Sequence, residues 1–164
     1  MANDLGAPAS LTVTLLNMET QEPVSLQGNP NDLKIALSAD YTEFDVVGSS
    51  FKPMQYIGTS NIEFSFTLQI IPETIDEFET AHDLEYFLYS LLYPSEPGGS
   101  PPDVLMVWPE YLAMHVKFTT LNVQWTAYNE LGTPTTGTIA CTVKNVRATR
   151  LLGGDIRRRG LRYP

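Results

Sequence analysis

Alternating apolar and polar residues predict β-strand along most of this chain. The clearest run covers 62–70. Its apolar positions are Ile62, Phe64, Phe66, Leu68 and Ile70, and its polar positions are Glu63, Ser65, Thr67 and Gln69. Successive side chains of a strand point to opposite faces, so a period of two predicts a strand with one buried face.

Shorter patterns predict further strands on both sides of this run. Residues 11–18 and 22–26 alternate and indicate a hairpin. Residues 33–48 alternate more loosely and predict a long, partly exposed strand pair, whereas 49–60 has no regular period and is predicted to be irregular. The apolar run 103–108, bounded by prolines, predicts a buried strand.

One segment has a helical period. Between 73 and 92 the apolar residues recur at spacings of three and four, acidic residues fill the first turns, and Pro94 follows. Acidic side chains are favourable at the positive end of a helix dipole, and proline cannot continue a helix. We therefore predict a single amphipathic helix over about 73–92.

A long hairpin is predicted over 115–148, with its turn at Asn129–Pro134, where Gly132 is free to adopt a positive φ. On the first strand, alternation is expected to place Val116 and Phe118 on one face with Thr120, Asn122 and Gln124. The pattern as a whole predicts a mainly β or α+β domain over 1–150, a sandwich or open barrel with one helix, followed by a basic C-terminal tail over 151–164.

Charge is distributed unevenly between these two parts. The chain has net charge -9, but 18 of its 19 acidic residues precede Lys144, and seven of its ten basic residues lie at 144–164. A strongly acidic body repels polyanions, so tight binding to DNA is not expected of it. Four of the last eight residues are arginines, which suits an acidic partner surface.

Candidate catalytic residues are few and isolated. His82 and His115 have no metal-ligand spacing, and Cys141 lies mid-strand on an apolar face, where it is expected to be a small core residue. No phosphate loop, dinucleotide fingerprint or nucleophile elbow occurs. No stretch approaches the length of a membrane span, and the N-terminus lacks a signal-peptide pattern. We expect no enzyme activity, cofactor, metal or membrane association.

Four stretches, in order, resemble one family. They are PVSLQGNPNDLKIALSADYTEF at 23–44, MQYIGTSNIEFSFTLQI at 54–70, SPPDVLMVWPE at 100–110 and FTTLNVQWTAYNELGTPTTGTIACTVKNV at 118–146. Together they are similar to the tube-initiator or hub-adaptor proteins of contractile phage tails and related injection systems. Many members continue into a LysM module, whereas this sequence reaches only Pro164, so peptidoglycan binding is not expected.

The resemblance implies a tail-tube fold, with two packed antiparallel sheets forming an open barrel and one flanking helix. It implies a homo-hexameric ring in the virion tail or baseplate, assembled in the host cytoplasm. Such a ring joins the central spike hub to the tail tube proteins, beside the baseplate wedge proteins, and DNA passes through its lumen without specific binding. An acidic lumen would repel the DNA, and the candidate lumen-facing residues are Glu63, Ser65, Thr67 and Gln69.

In this setting the tail is expected to dock on an acidic neighbour, either the next ring or a baseplate protein. Arginine binds carboxylates through its planar fork, and two apolar side chains add anchoring. The partner-binding residues predicted are Arg157, Arg158, Arg159, Leu161, Arg162 and Tyr163.

Two other classes of protein remain open at this point. One is a β-sandwich carbohydrate- or receptor-binding module that uses Trp108, Tyr111 and Trp125 as stacking platforms. The other is a hydrolase that uses the acidic residues, which no convergent motif supports. A tube protein is expected to form a sixfold ring without a ligand, and a binding module to retain sugar as a monomer or trimer.

Overall fold

The structure is a computed structural model of the chain, and it describes residues 12–26, 30–72, 75–109 and 111–146. The described part has nine strands and one helix. In chain order they are β1 Thr14–Asn17, β2 Pro23–Ser25, β3 Asp32–Ala36, β4 Ala39–Glu43, β5 Met54–Thr59, β6 Glu63–Ile70, α1 Ile75–Ser90, β7 Val104–Trp108, β8 Leu112–Tyr128 and β9 Pro134–Asn145. No described helix is both long enough and apolar enough to span a bilayer.

Seven strands form one antiparallel sheet in the order β2-β1-β7-β8-β9-β6-β3. The sheet curls into a half-barrel, and β4 and β5 form a small second sheet. This confirms the expected fold class, mainly β with an open barrel and one flanking helix. The hairpin predicted from 11–26 is β1–β2, and the buried strand predicted at 103–108 is β7.

One face of the large sheet is apolar and packs against α1. The predicted apolar face of β6, from Phe64 to Ile70, is buried there, and Ile139, Cys141 and Val143 of β9 continue it. Helix residues Ala81, Leu88 and Leu91 belong to the same core. The opposite face of β6 and β9 carries the alternating polar residues and is only partly covered. The sheet therefore has one buried face and one polar face.

Residues 33–48 were predicted to form two strands that pair with each other, and this pairing is wrong. β3 and β4 do follow each other, but β3 pairs with β6 and β4 pairs with β5. The prediction of irregular structure at 49–60 is also wrong, because β5 occupies Met54–Thr59. Every residue of 34–57 is exposed, so no buried face imposes an alternating pattern on this segment.

The predicted faces of β8 are wrong beyond residue 118. Phe118 pairs with Val143 and Thr120 with Thr142, so Thr119 is an extra residue that forms a β-bulge. The Thr119 hydroxyl donates a hydrogen bond to the Thr142 carbonyl at 3.1 Å. After the bulge the apolar face carries Leu121 instead of Thr120. The three-residue step from Phe118 to Leu121 was the signal of this bulge.

Candidate functional site

The most unusual surface of the protein is a two-stranded ribbon that we call the arm, residues 37–60, which contains β4 and β5. Nine large apolar side chains of the arm are exposed, with relative exposures from 45% to 103%. They are Leu37, Tyr41, Phe44, Val46, Val47, Phe51, Met54, Tyr56 and Ile57. At roughly 100 Å² each, they present on the order of 900 Å² of apolar surface.

That area is large for a free surface. The largest apolar patch of a monomeric protein is typically about 300–600 Å². One partner of a standard protein–protein interface buries roughly 800 Å². The nine side chains lie on both faces of the ribbon and do not form one patch, but their summed area is comparable with one half of an interface.

The backbone positions the arm as a continuation of the large sheet. β3 pairs with β6, and beyond them β4 pairs with β5 in the same antiparallel sense. At the junction the amide of Ser60 donates to the carbonyl of Ser38 at 2.8 Å, and the two hydroxyls lie 2.8 Å apart. Tyr41 and Tyr56 contact edge to face across the ribbon, with ring centroids 5.7 Å apart. The arm is thus an ordered projection.

A second feature that favours association is an open edge of β8. β7 pairs with β8 only from Leu112 to Val116. From Lys117 to Tyr128, β8 is paired with β9 along one side, and no other described strand lies along its second side. Unpaired backbone amides and carbonyls on a long edge are a template for another strand.

The polar face brings together all four residues predicted to face a lumen. Side chains of directly paired residues lie on the same face, and the registers align Glu63 with Lys144, Ser65 with Thr142, Thr67 with Ala140 and Gln69 with Thr138. Glu63 and Lys144 form an ion pair at 3.2 Å, and the Ser65 and Thr142 hydroxyls lie 3.5 Å apart. The face thus consists of rows of hydroxyl and amide groups.

The charge of this face differs from the expectation of an acidic surface. On the polar face of β3, β6, β8 and β9, the described acidic residues are Asp32 and Glu63, and the basic residues are Lys34, Lys117 and Lys144. Asp32 accepts a hydrogen bond from the amide of Thr67 at 3.0 Å. The face is therefore close to neutral. Helix α1, on the other side of the sheet, contains no lysine or arginine and holds much of the acidity.

The two histidines and the cysteine are packed among other side chains of the fold. His82 on α1 stacks on Trp125 of β8, with ring centroids 5.2 Å apart and planes at 25°, and its Nδ1 lies 3.4 Å from Glu85. His115 is buried. Burial raises the pKa of the Cys141 thiol to about 12, which keeps the thiol protonated at neutral pH. The prediction that Cys141 is a core residue is confirmed.

A further titratable contact lies on α1. The Tyr89 hydroxyl donates to Glu85 at 2.7 Å, and this hydrogen bond, with burial and the nearby negative charge, raises the pKa of Tyr89 to about 12. Within the described ranges, no group of three His, Cys, Asp or Glu side chains is arranged to hold a metal ion.

The three aromatic residues proposed as stacking platforms do not form one surface. Trp108 and Tyr111 contact edge to face at the β7–β8 turn, with centroids 6.4 Å apart. Trp125 lies 13 residues along β8 from the start of that strand and is covered by His82. The predicted partner-binding residues Arg157, Arg158, Arg159, Leu161, Arg162 and Tyr163 lie outside the described residues.

No protein-family model matches the chain, and no curated protein matches it. Solved structures do resemble it. A chain from the tail of an empty gene transfer agent particle with C6 symmetry is 10% identical, with a TM-score of 0.46, covering 90% of this chain and 99% of that one. A chain from the sheath–tube complex of the extracellular contractile injection system PVC is 10% identical, with a TM-score of 0.42 and coverages of 88% and 90%.

A chain from the baseplate of the anti-feeding prophage is 8% identical, with a TM-score of 0.37 and coverages of 87% and 95%. These structural neighbours are all components of tails, sheath–tube complexes or baseplates. Their identities and TM-scores are low, so the function proposed below rests on the residues of this chain.

Proposed function

We propose that this protein is a structural, non-enzymatic component of a contractile tail. In this proposal it forms a homo-hexameric ring that joins the central spike hub to the tail tube and lines the DNA channel. The ring is placed in the virion tail or baseplate, beside the wedge proteins, after assembly in the host cytoplasm. The observation that carries the proposal is the exposed apolar arm, residues 37–60.

The arm supports ring formation because it projects from one edge of its own subunit. A projecting arm that docks on a different surface of the next copy makes a head-to-tail contact, and repeated contacts of this kind close into a ring when the rotation permits. The open edge of β8, from Lys117 to Tyr128, is a surface that can accept such a contact. Both features lie on every copy, so no second protein is needed.

The polar face supports the channel role. Retention of DNA depends on lysine and arginine that neutralise phosphates. Two lysines of this face are already paired, Lys144 with Glu63 at 3.2 Å and Lys117 with Asp103 at 3.4 Å. A lining of hydroxyl and amide groups with balanced charge gives DNA little to adhere to. We therefore assign the face that carries Glu63, Ser65, Thr67 and Gln69 to the lumen.

The alternative, a carbohydrate- or receptor-binding module, has weaker support. It requires aromatic rings that are free to stack on a ligand. Trp125 is stacked on His82, and both Trp125 and Trp108 pack against the core, so only Tyr111 of the three is exposed. A glycan screen of the purified protein tests this reading directly.

The decisive experiment changes one apolar residue of the arm and compares it with a matched residue elsewhere. Ile57, 66% exposed, lies in the arm, and Ile71, 58% exposed, follows β6 outside it. We expect wild-type protein and Ile71→Asp to form sixfold rings, because Ile71 is not part of the interface. We expect Ile57→Asp to remain monomeric, because a carboxylate buried in an apolar contact is strongly unfavourable.

Light scattering gives the mass of each variant, and negative-stain images show whether an open ring forms. Circular dichroism checks that both variants keep the β fold. Rings formed equally well by Ile57→Asp would exclude the arm as the assembly surface. A wild-type chain that stays monomeric up to its solubility limit, with a positive glycan screen, would favour the binding module.

A further inference from the structure

A groove separates the edge strand β2 from helix α1. Its volume is about 250 Å³. Val24, Leu84 and Phe87 supply apolar walls, and Glu22 and Asp83 supply carboxylates. Neither carboxylate forms a salt bridge within the described part of the chain. The groove therefore combines apolar walls with unneutralised negative charge.

The chain leaves β9 at the same end of the sheet as this groove. The amide of Val146, just after β9, donates to the carbonyl of His115 on β8. One residue earlier, Asn145 of β9 pairs with Val116 of β8. From Val116 the same row of the sheet continues to Val104 of β7 and Asn17 of β1. The amide of Asn17 donates to the carbonyl of Glu22 at 3.0 Å.

This row crosses four strand spacings between the end of β9 and the rim of the groove. Neighbouring strands are about 4.8 Å apart, so the path across the sheet is about 19 Å. The ten residues 147–156 span up to roughly 33 Å when extended. Residues 157–163 can therefore reach the groove of the same subunit without strain.

We propose that this groove binds the C-terminal segment 157–163 of the same chain, in place of the neighbouring ring or baseplate protein expected above as its acceptor. Arg157, Arg158, Arg159 and Arg162 supply four positive charges, and Leu161 and Tyr163 supply apolar side chains. Arginine pairs with carboxylates such as Glu22 and Asp83 through its planar guanidinium. The apolar side chains enter between Val24 and Leu84. The groove and the segment belong to one subunit, so this docking does not depend on ring formation.

The charge distribution of the fold favours this acceptor over the polar face of the sheet. Three of the four described lysines already have an acidic partner within 4 Å. Helix α1, which forms one wall of the groove, has no basic residue between Ile75 and Ser90. By contrast, the polar face of the sheet is close to neutral and offers the arginines fewer carboxylates.

Disulfide trapping in the full-length chain tests the proposal. The groove pair combines Thr80→Cys with Leu161→Cys, and Cys141→Ala removes the native thiol. Thr80 is chosen because it lines the groove and is exposed. The matched control pair is Ala36→Cys with Leu161→Cys. Ala36 is exposed on β3, only two strand spacings from β9, and so lies nearer to the chain exit than the groove does.

We expect the groove pair to form a disulfide within one molecule about tenfold faster than the control pair, because docking raises the effective concentration of the two thiols. Adding Glu22→Lys and Asp83→Lys is expected to slow the groove pair to the control rate, and high salt is expected to slow it as well. Circular dichroism confirms that each variant is folded.

Equal rates of disulfide formation for the groove pair and the control pair would overturn the proposal, because they would mean that the C-terminal segment has no preferred site. Disulfides that form only between molecules would also overturn it and would locate the acceptor on another copy. Trapping is scored as the disulfide formed within one chain, whether or not that chain is part of a ring, so failure of the ring experiment with Ile57→Asp leaves this result unaffected.

Discussion

Substituting Gly137 with alanine is expected to destabilise the fold through two close contacts. Gly137 is buried on β9 opposite Trp125 of β8. A Cβ placed on Gly137 would lie 2.7 Å from the carbonyl oxygen of Gln124 and 2.8 Å from Cε3 of Trp125. Both distances are well inside van der Waals contact. The carbonyl belongs to the backbone of β8, so the first clash is relieved only by a shift of the strand backbone. The second clash requires the indole, which stacks on His82, to move as well.

The magnitude follows from two opposing effects. Overpacking a well-packed site costs about 1–3 kcal/mol. Replacing glycine with alanine also restricts the unfolded chain, which returns about 0.4–1 kcal/mol. Because the closest contact is with a backbone atom, the overpacking cost lies toward 3 kcal/mol, and the net loss of unfolding free energy is about 2–2.6 kcal/mol. For a domain of this size, each 1 kcal/mol lowers Tm by about 2–4 °C, so the decrease in Tm is roughly 4–10 °C.

Gly58→Ala is the matched control, because a Cβ at Gly58 meets no atom within 4 Å. Urea unfolding followed by tryptophan fluorescence gives the free energy of unfolding for both variants. Gly58→Ala is expected to stay within about 0.5 kcal/mol of wild type. If Gly137→Ala is as stable as Gly58→Ala, then the close packing of Trp125 over Gly137 does not exist in solution, and the reasoning about this contact is wrong.

Two further predictions concern the core. Phe66, 2% exposed, lies in the centre of the apolar face of β6, and Phe66→Ala is expected to reduce the free energy of unfolding by about 3–5 kcal/mol in urea titrations; a loss below about 1 kcal/mol would contradict its place in the core. The pKa of Cys141 is raised from 9.0 to about 12, so the stabilisation from its neutral thiol is complete below pH 9 and is lost as the pH rises toward 12. The stability of wild type relative to Cys141→Ala should therefore fall between pH 9 and pH 12, and a constant difference measured by denaturation at several pH values would contradict the burial of the thiol.

The parts of the fold that the sequence predicted well are those with one buried face. β6 and β9 each have a regular apolar face against α1, and burial enforces that alternation at every second residue. The turn at 129–134 was also predictable. Gly132 has a φ of 78°, and the Asn129 side chain accepts hydrogen bonds from the amides of Leu131 and Thr133, both at 2.9 Å.

The parts that were predicted poorly lack such a constraint. In the arm, both faces of the ribbon are exposed, so the apolar residues of β5, such as the adjacent Tyr56 and Ile57, follow no period of two that reveals the strand. In β8, one extra residue at Thr119 reverses the faces of the residues from Thr120 to Trp125. The alternation in β6 predicted which of its residues lie on the polar face. The balanced charge of that face depends on which strands are neighbours in the sheet, and a single sequence does not specify the strand order.

In the proposed ring, the arm provides the contacts between subunits, whereas the half-barrel provides the stability of the fold. Residues 34–57 are exposed throughout, so their side chains contribute little to the folding free energy of the free subunit. Mutations there are expected to leave the free subunit folded, and in the proposed ring they act on the contacts between subunits. In the proposed ring, an arm from a related protein, joined at Ser38 and Ser60, is expected to change which subunits assemble while the half-barrel stays unchanged.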